Sequence, residues 1–336
     1  MNQKKILILT GLTGSGKTKL LKDIVKNCGQ PVNIICGDIQ QAYSNFPVLT
    51  NSPLNDKKEN FDEFLKKHNS RANLYSAFDL RSDTFNAFEY GNMIKEALMD
   101  DHLNVIEGGS AFYLHYLRTM IIKEPLLATF ILYFNHMDII KILTERSKQM
   151  FMDGALKEIW QYHKKNIEPG ESELRLTPIG YDDLLECAKY LEAFDPDQTA
   201  KALLSVKPKL LNCYKEFIRK QRRYSTTQLK YLRKYFSADG DYWLNVSTDG
   251  PLVTYDKLMN LVASQKKKEG GRDWGIRENT KFYQISIEDL LNENVREGFS
   301  NQEVSTLLAG INVRLAAEFV TRAERYRSKP KKLTRI

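Results

Sequence analysis

The chain has 336 residues, 42% hydrophobic and 27% charged, enough apolar material for one large domain with additions or for two domains. No apolar run approaches the ~20 residues of a bilayer span, which excludes a membrane-spanning helix as a functional element. The formal net charge of +8 suits a polyanionic partner. Cys28, Cys36, Cys187 and Cys213 form no CxxC pair, so reduced thiols are expected rather than disulfides or a zinc site. Met-Asn-Gln-Lys-Lys leads straight into an apolar run, which reads as no signal peptide; the expected location is the cytoplasm.

The first predicted element is a buried strand over residues 5–10, and it feeds Gly11 to Thr18, GLTGSGKT. This is a P-loop spacing, with a helix predicted directly after it. Glycines let such a loop turn its backbone N–H groups inward onto phosphate oxygens. Gly11, Thr13, Gly14, Ser15, Gly16, Lys17 and Thr18 are therefore candidate phosphate ligands. Lys17 supplies a point charge, Thr18 can hold Mg²⁺, and the helix N-terminus adds partial positive charge. The loop alone does not say what happens to the phosphate.

A second strand is predicted over residues 32–36, followed by Gly37-Asp38-Ile39-Gln40-Gln41-Ala42-Tyr43. Residues just past strand C-termini of a parallel sheet line the ligand crevice, so Asp38 is expected to face the P-loop's cleft. There it either takes a proton or holds a metal's water shell. A helix N-cap without chemistry is the alternative.

A helix over 84–99 and a strand over 103–106 come next, then Glu107-Gly108-Gly109-Ser110 and a helix over 112–122. The glycines allow close backbone approach to a ligand, and Ser110 can donate to a phosphate or bridging oxygen. A tight turn with a serine cap remains open, as does Glu107 as the acidic residue of an ATPase metal site. A strand over 129–134 follows. Alternating strands and helices imply a mostly parallel sheet covered on both faces.

From residue 137 to 235 the pattern is almost wholly helical, with helices over 138–152, 182–193 and 209–235. Within it lie Ile179-Gly180-Tyr181 and the run Arg219 to Leu229. The run is either a solvated helix face or a set of arginines offered to pyrophosphate or an RNA backbone. A strand over 242–246 returns to the sheet. Residues 264–272 read as a charged linker, 285–291 and 301–327 as helices, and 328–336 as a frayed basic end. The expected fold class is α/β, a P-loop NTPase-like parallel sheet with a helical subdomain and a mostly helical C-terminal extension. The expected division is 1–136 core, 137–236 helical subdomain, 237–250 return strand and 251–336 basic extension.

Taken in order, these groups resemble one family, the isopentenyl (dimethylallyl) transferases that alkylate N6 of adenine. The family's GxTxSGKT is matched at Gly11 to Thr18, its D-S-x-Q-x-Y by Asp38, Gln41 and Tyr43, and its T-[AN]-K-P by Thr50, Asn51 and Pro53. Its G-G-[TS] is matched by Gly108, Gly109 and Ser110, and its I-G-Y by Ile179, Gly180 and Tyr181. Its R-x-Y-A-K-R-Q-x-x-W is matched by Arg222, Tyr224 and Gln228, with Tyr231 at the Trp place. The likeness covers roughly residues 5–246.

The resemblance implies transfer of a dimethylallyl group from dimethylallyl diphosphate to adenine beside the anticodon of tRNA. It implies that the P-loop residues and Arg222 bind the diphosphate, with Mg²⁺ at Thr18. Asp38 would accept the proton of the exocyclic amine, and Ser110 would bond the oxygen bridging prenyl carbon and diphosphate. Gln41, Tyr43, Thr50, Gly180, Tyr181 and Gln228 fall on the acceptor side. The partner would be the anticodon stem-loop, with the base extruded from its stack, and the protein a monomer.

Four departures stand out. Ile39 replaces the Ser after the catalytic Asp, Ser52 replaces a Lys, and Thr226-Thr227 replace Lys-Arg. The R-x-x-R-A-L-E segment of the tRNA enzymes is missing, which is the layout of adenylate isopentenyltransferases of cytokinin synthesis. Those enzymes also favour G-G-S, whereas Gly180-Tyr181 sides with the tRNA branch. A free AMP, ADP or ATP acceptor is thus the first alternative. A P-loop small-molecule kinase and an inactive RNA-binding homologue are the others.

Overall fold

A computed structural model describes residues 4–55, 59–121, 126–134, 136–166, 177–192, 199–237, 241–246, 254–265 and 299–311. Six strands form one fully parallel sheet in the order β3-β2-β4-β1-β5-β6. They are β1 (Lys5–Gly11), β2 (Val32–Cys36), β3 (Arg71–Asn73), β4 (Leu103–Glu107), β5 (Leu126–Tyr133) and β6 (Asp241–Asn245). The three central strands are buried along nearly their whole length, which is why they read as continuous apolar runs rather than alternating ones.

Five of these strands are the ones the sequence predicts, and β3 is the addition. Arg-Ala-Asn carries no apolar period to detect. It joins the edge through side chains as well as backbone: Asn73 donates to the Asn33 amide oxygen at 2.6 Å, and Asn33 donates to Asn104 at 2.8 Å. At the opposite edge, Arg118 donates to the buried Asp241 at 3.0 Å and lies over the Phe236 ring, fixing β6 in register.

The connecting helices are α1 (Lys17–Asn27), α2 (Ile39–Ala42), α3 (Phe61–Lys67), α4 (Ala87–Glu96) and α5 (Ala111–Met120). Asn60 caps α3, and Asn86 with Glu89 forms a capping box on α4, so these helix starts are set locally. Beyond β5 come α6 (His136–Asp153), α7 (Ala155–Asn166), α8 (Tyr181–Glu192) and the 37-residue α9 (Thr199–Tyr235). The helix expected over 209–235 begins ten residues earlier, at Thr199, and runs through Pro208. Burial of Val206 and Leu210 on either side holds that turn against the core.

Two further helices are described near the C-terminus, α10 (Tyr255–Gln265) and α11 (Asn301–Ile311). The helix expected over 285–291, most of the linker over 264–272, the far half of 301–327 and the end over 328–336 lie outside the described residues. The apolar core is continuous from the sheet into α6 to α9 and reaches Phe299 and Val304. No described helix is long and apolar enough to cross a membrane.

This topology decides where the site sits. In the order β2-β4-β1, three neighbouring parallel strands end side by side. Their next residues are Asp38, the Glu107–Ser110 turn and the P-loop, which therefore meet at one edge of the sheet.

Candidate active site

A cavity of about 320 Å³ opens at that edge. Its wall includes Thr13, Gly14, Gly16, Lys17 and Thr18 of the P-loop, Asp38, Gln41, Thr50, Glu107 and Gly109. Gly16 caps α1 in the left-handed conformation, and Gly11 and Gly14 also have positive φ, as a loop wrapped around an anion needs. Lys17 Nζ donates to the Gly11 and Leu12 carbonyls at 3.3 and 3.1 Å. Burial lowers the Lys17 pKa, and the carboxylates of Glu107 and Asp38 oppose that shift. The Ser15 hydroxyl is buried without a hydrogen-bond partner.

Asp38 is both an N-cap and a cavity residue, so the two readings of it are compatible. Its Oδ1 accepts from the Gln40 N–H at 3.1 Å and from Ser110 Oγ at 2.9 Å. Its Oδ2 accepts from the Gly109 N–H at 3.0 Å. Ser110 Oγ in turn accepts from the Ile39 N–H at 3.3 Å. Ser110 is thus engaged in holding Asp38 and is not on the cavity wall. The Ile39 side chain is buried in the core, which explains how an apolar residue replaces Ser there: its backbone N–H makes the contact. A Cβ on Gly109 would lie 3.0 Å from Asp38 Oδ2 and 3.0 Å from Gln228 Nε2, so a larger residue there would push on both side chains.

Glu107 is buried and accepts from the Tyr75 hydroxyl at 2.8 Å. Burial raises its pKa, and Lys17 opposes that. The other charged group facing this space was not found from the sequence. Arg146, on α6, lines the cavity, and its Nε is buried without a hydrogen-bond partner. Burial lowers its pKa to about 10, against the pull of Asp38 and Glu107. Ile142, Arg146 and Gln149 recur at i, i+4 and i+7, so one stripe of α6 forms a wall. The available clue was an arginine set between the buried positions Leu143 and Met150.

Helix α9 supplies Gln221, Tyr224 and Gln228 at i, i+3 and i+7. Gln228 joins the two loops of the site: its Oε1 accepts from the Thr13 N–H at 3.1 Å, and its Nε2 donates to the Gly109 carbonyl at 2.7 Å. Burial pushes the Tyr224 hydroxyl far above its ordinary range. Arg222 is half-buried but does not line the cavity. Thr226 and Thr227 are exposed and bond back to the Arg222 and Arg223 carbonyls. The loss of Lys-Arg at these two positions therefore removes charge from the outer face of α9 and not from the cavity.

On the other wall, Gln41 Nε2 donates to the Thr50 and Asn51 carbonyls, at 3.2 Å each, while its Oε1 is buried without a partner. The same loop is held from outside by Glu158 of α7, a residue the sequence reading missed. Its carboxylate accepts from the Val48 and Leu49 N–H groups at 2.8 and 2.9 Å. Burial raises its pKa to about 7, against those two bonds. Tyr43, Gly180 and Tyr181 are not on the cavity wall. Tyr43 packs edge-on against Phe78, and Tyr181 against Phe46. Gly180 has φ +83°, and a Cβ there would lie 2.3 Å from the Phe217 ring. Pro178 and Ile179, just before them, do reach the cavity. The hydroxyl of Ser52, which stands in the place of Lys, is buried without a partner.

No protein-family model matches the chain. It is 33% identical over 110 residues to tRNA dimethylallyltransferase 2 of Arabidopsis thaliana, a stretch covering 33% of this chain and 22% of that protein. It is 29% identical over 164 residues to the tRNA dimethylallyltransferase of Ligilactobacillus salivarius, covering 47% of this chain and 46% of that one. The matches thus span less than half the length of these curated relatives. In three dimensions it resembles a tRNA Δ2-isopentenylpyrophosphate transferase from Staphylococcus epidermidis, with a TM-score of 0.56 at 14% identity, over 79% of this chain and 99% of that one. A tRNA isopentenylpyrophosphate transferase from Bacillus halodurans gives 0.52 at 16% identity, over 79% and 96%. These superpositions establish a shared fold. Together with the ordered motifs, the sequence matches and that fold mark this chain as a relative of the tRNA dimethylallyltransferases.

Proposed function

We propose that the chain transfers the dimethylallyl group of dimethylallyl diphosphate to N6 of an adenine in a tRNA anticodon stem-loop, releasing diphosphate. The observation that carries this is one cavity shared by the Asp38 carboxylate and a P-loop flanked by Lys17 and Arg146. The relatives' names supply the reaction class, and the residues supply a way to run it.

The diphosphate lies on the N–H groups of the P-loop. Lys17 exchanges its two loop carbonyls for phosphate oxygens, and Arg146, whose Nε is buried without a hydrogen-bond partner, takes another. These fixed cations stabilise the negative charge that grows as the allylic C–O bond breaks, with its electron pair going to the diphosphate. The adenine N6 attacks the allylic carbon and loses a proton to an Asp38 oxygen. Among the described residues Asp38 Oδ2 accepts one bond, which leaves it a lone pair for that proton. Ser110 and Gly109 keep the carboxylate aimed, so Ser110 acts through Asp38. Gln41 presents its unpartnered Oε1 to the acceptor base.

Among the described residues no cluster of three His, Cys, Asp or Glu is built to hold a metal ion. Mg²⁺ is commonly held by one or two carboxylates together with substrate phosphates, and the oxygens of Thr18 and Glu107 on the cavity wall fit that donor set. Bound there, it would add positive charge beside the leaving diphosphate. A monomer is the proposed working unit.

The test is mass spectrometry of products after an anticodon stem-loop and AMP compete for dimethylallyl diphosphate. Prenylated adenosine in the stem-loop supports the reading. Prenylated AMP in excess assigns the chain to the adenylate enzymes, and phosphoryl transfer from added ATP without prenyl transfer assigns a kinase.

A further inference from the structure

Beside the cavity the surface changes character. Gly109 and Gln228 lie on its wall, and just beyond each of them the chain turns aromatic. Helix α5 carries Phe112 and Tyr116 at i and i+4, with 53% and 40% of their surface exposed. Helix α9 carries Tyr231 and Tyr235, also at i and i+4. The two rows meet. Phe112 and Tyr231 have ring centroids 6.1 Å apart, His115 and Tyr235 4.3 Å, and Tyr231 and Tyr235 4.4 Å. Phe112 and Tyr116 face water and Tyr231 and Tyr235 are half-buried beside them, so the two rows leave an aromatic surface that marks an interaction site.

The charge around the shelf selects the partner. Arg223, Lys230 and Lys234 are exposed and recur at i, i+7 and i+11, which sets them in a stripe along the tyrosine row. Lys234 Nζ sits 4.9 Å from the centre of the Tyr235 ring. No acidic residue occurs between Phe217 and Ser237. A second copy of this chain would bring the same positive stripe against itself, whereas a polyanion with exposed ring faces fits both features. Single-stranded nucleic acid has that chemistry: aromatic side chains stack its unpaired bases while a basic track follows its phosphates.

We propose that the α5–α9 shelf stacks unpaired bases of an RNA loop next to the cavity mouth, with Arg223, Lys230 and Lys234 on the backbone. This rests on the RNA-acceptor reading only for the identity of the RNA.

The experiment uses the full chain and the double variant F112S/Y116S, whose side chains are exposed, so folding is preserved and checked by thermal melting. Fluorescence anisotropy measures binding of a labelled anticodon stem-loop and of a blunt duplex with the same stem. The variant should bind the stem-loop about tenfold or more weakly, with duplex and dimethylallyl diphosphate affinity unchanged. A second variant, K230Q/K234Q, should flatten the salt dependence of stem-loop binding by roughly 0.7 log unit per lost contact. Unchanged stem-loop affinity in F112S/Y116S, an equal loss for the duplex, or a change in sedimenting mass in place of a change in RNA affinity would overturn the shelf. Wild-type protein that binds the stem-loop but does not prenylate it would sink the proposed reaction, while the loss of affinity in the variant would still uphold the shelf.

Discussion

The two walls of the cavity differ in how far their polar groups satisfy each other. On the wall proposed for the acceptor most do: Gln41 Nε2 donates to the Thr50 and Asn51 carbonyls and Glu158 accepts from the Val48 and Leu49 N–H groups, with Gln41 Oε1 left without a partner. On the anion wall, Arg146 keeps a buried nitrogen without a partner and Lys17 rests on loop carbonyls. A buried cationic N–H without a hydrogen-bond partner is costly unless a ligand completes it. The contrast teaches that the cationic wall waits for an anion, while the other is held mostly by its own bonds and leaves one acceptor atom, Gln41 Oε1, for a ligand.

The strongest way to break this comparison is at the residue between the walls. Asp38→Ala should slow prenyl transfer by about 100- to 10,000-fold, as expected for loss of a general base, while calorimetry finds dimethylallyl diphosphate binding unchanged. Equal loss of diphosphate affinity would move Asp38 to the anion wall. Next comes Arg146→Ala, which should weaken diphosphate binding by about 10- to 150-fold, the range for a hydrogen bond to a charged group. A variant that binds diphosphate like the wild type would show that Arg146 is not the cation completed by the ligand.

Gln228→Ala cuts the tie between the P-loop and the Gly109 turn. It strands the Thr13 N–H and the Gly109 carbonyl and should cost about 1–3 kcal/mol in urea unfolding. The smallest effect is on the acceptor wall. A carboxylate raised to about 7 binds its proton more tightly in the folded chain, so Glu158 contributes stability in acid that is lost as pH rises from about 4.5 to about 7. Glu158→Gln should remove that slope. A difference in stability between variant and wild type that stays constant across the window would mean that burial does not dominate at this carboxylate.

Much of the site was legible because its parts follow strand ends. The P-loop, Asp38 and the Glu107–Ser110 turn each come directly after an apolar run, and parallel pairing brings such ends together. Arg146 was not legible, since one arginine in an amphipathic helix reads as surface until the helix is seen to pack over the loop. Nor was the engagement of Ser110: the motif names the residue, but only its distances show that the hydroxyl turns to Asp38. Gly180 and Tyr181 were read as acceptor residues, and the contacts the structure gives them are packing against Phe217 and Phe46.

By itself, then, the sequence determined the α/β alternation, the anion loop and the acid beside it, because period and spacing along the chain encode local geometry. Tertiary structure alone decided which residues of α6 and α9 face that loop. Those helices lie more than a hundred residues from the P-loop along the chain, and their orientation follows from burying their apolar stripes in the core that they share with each other and the sheet. The face that each helix turns to the cavity is the remainder of that packing, which no local pattern records.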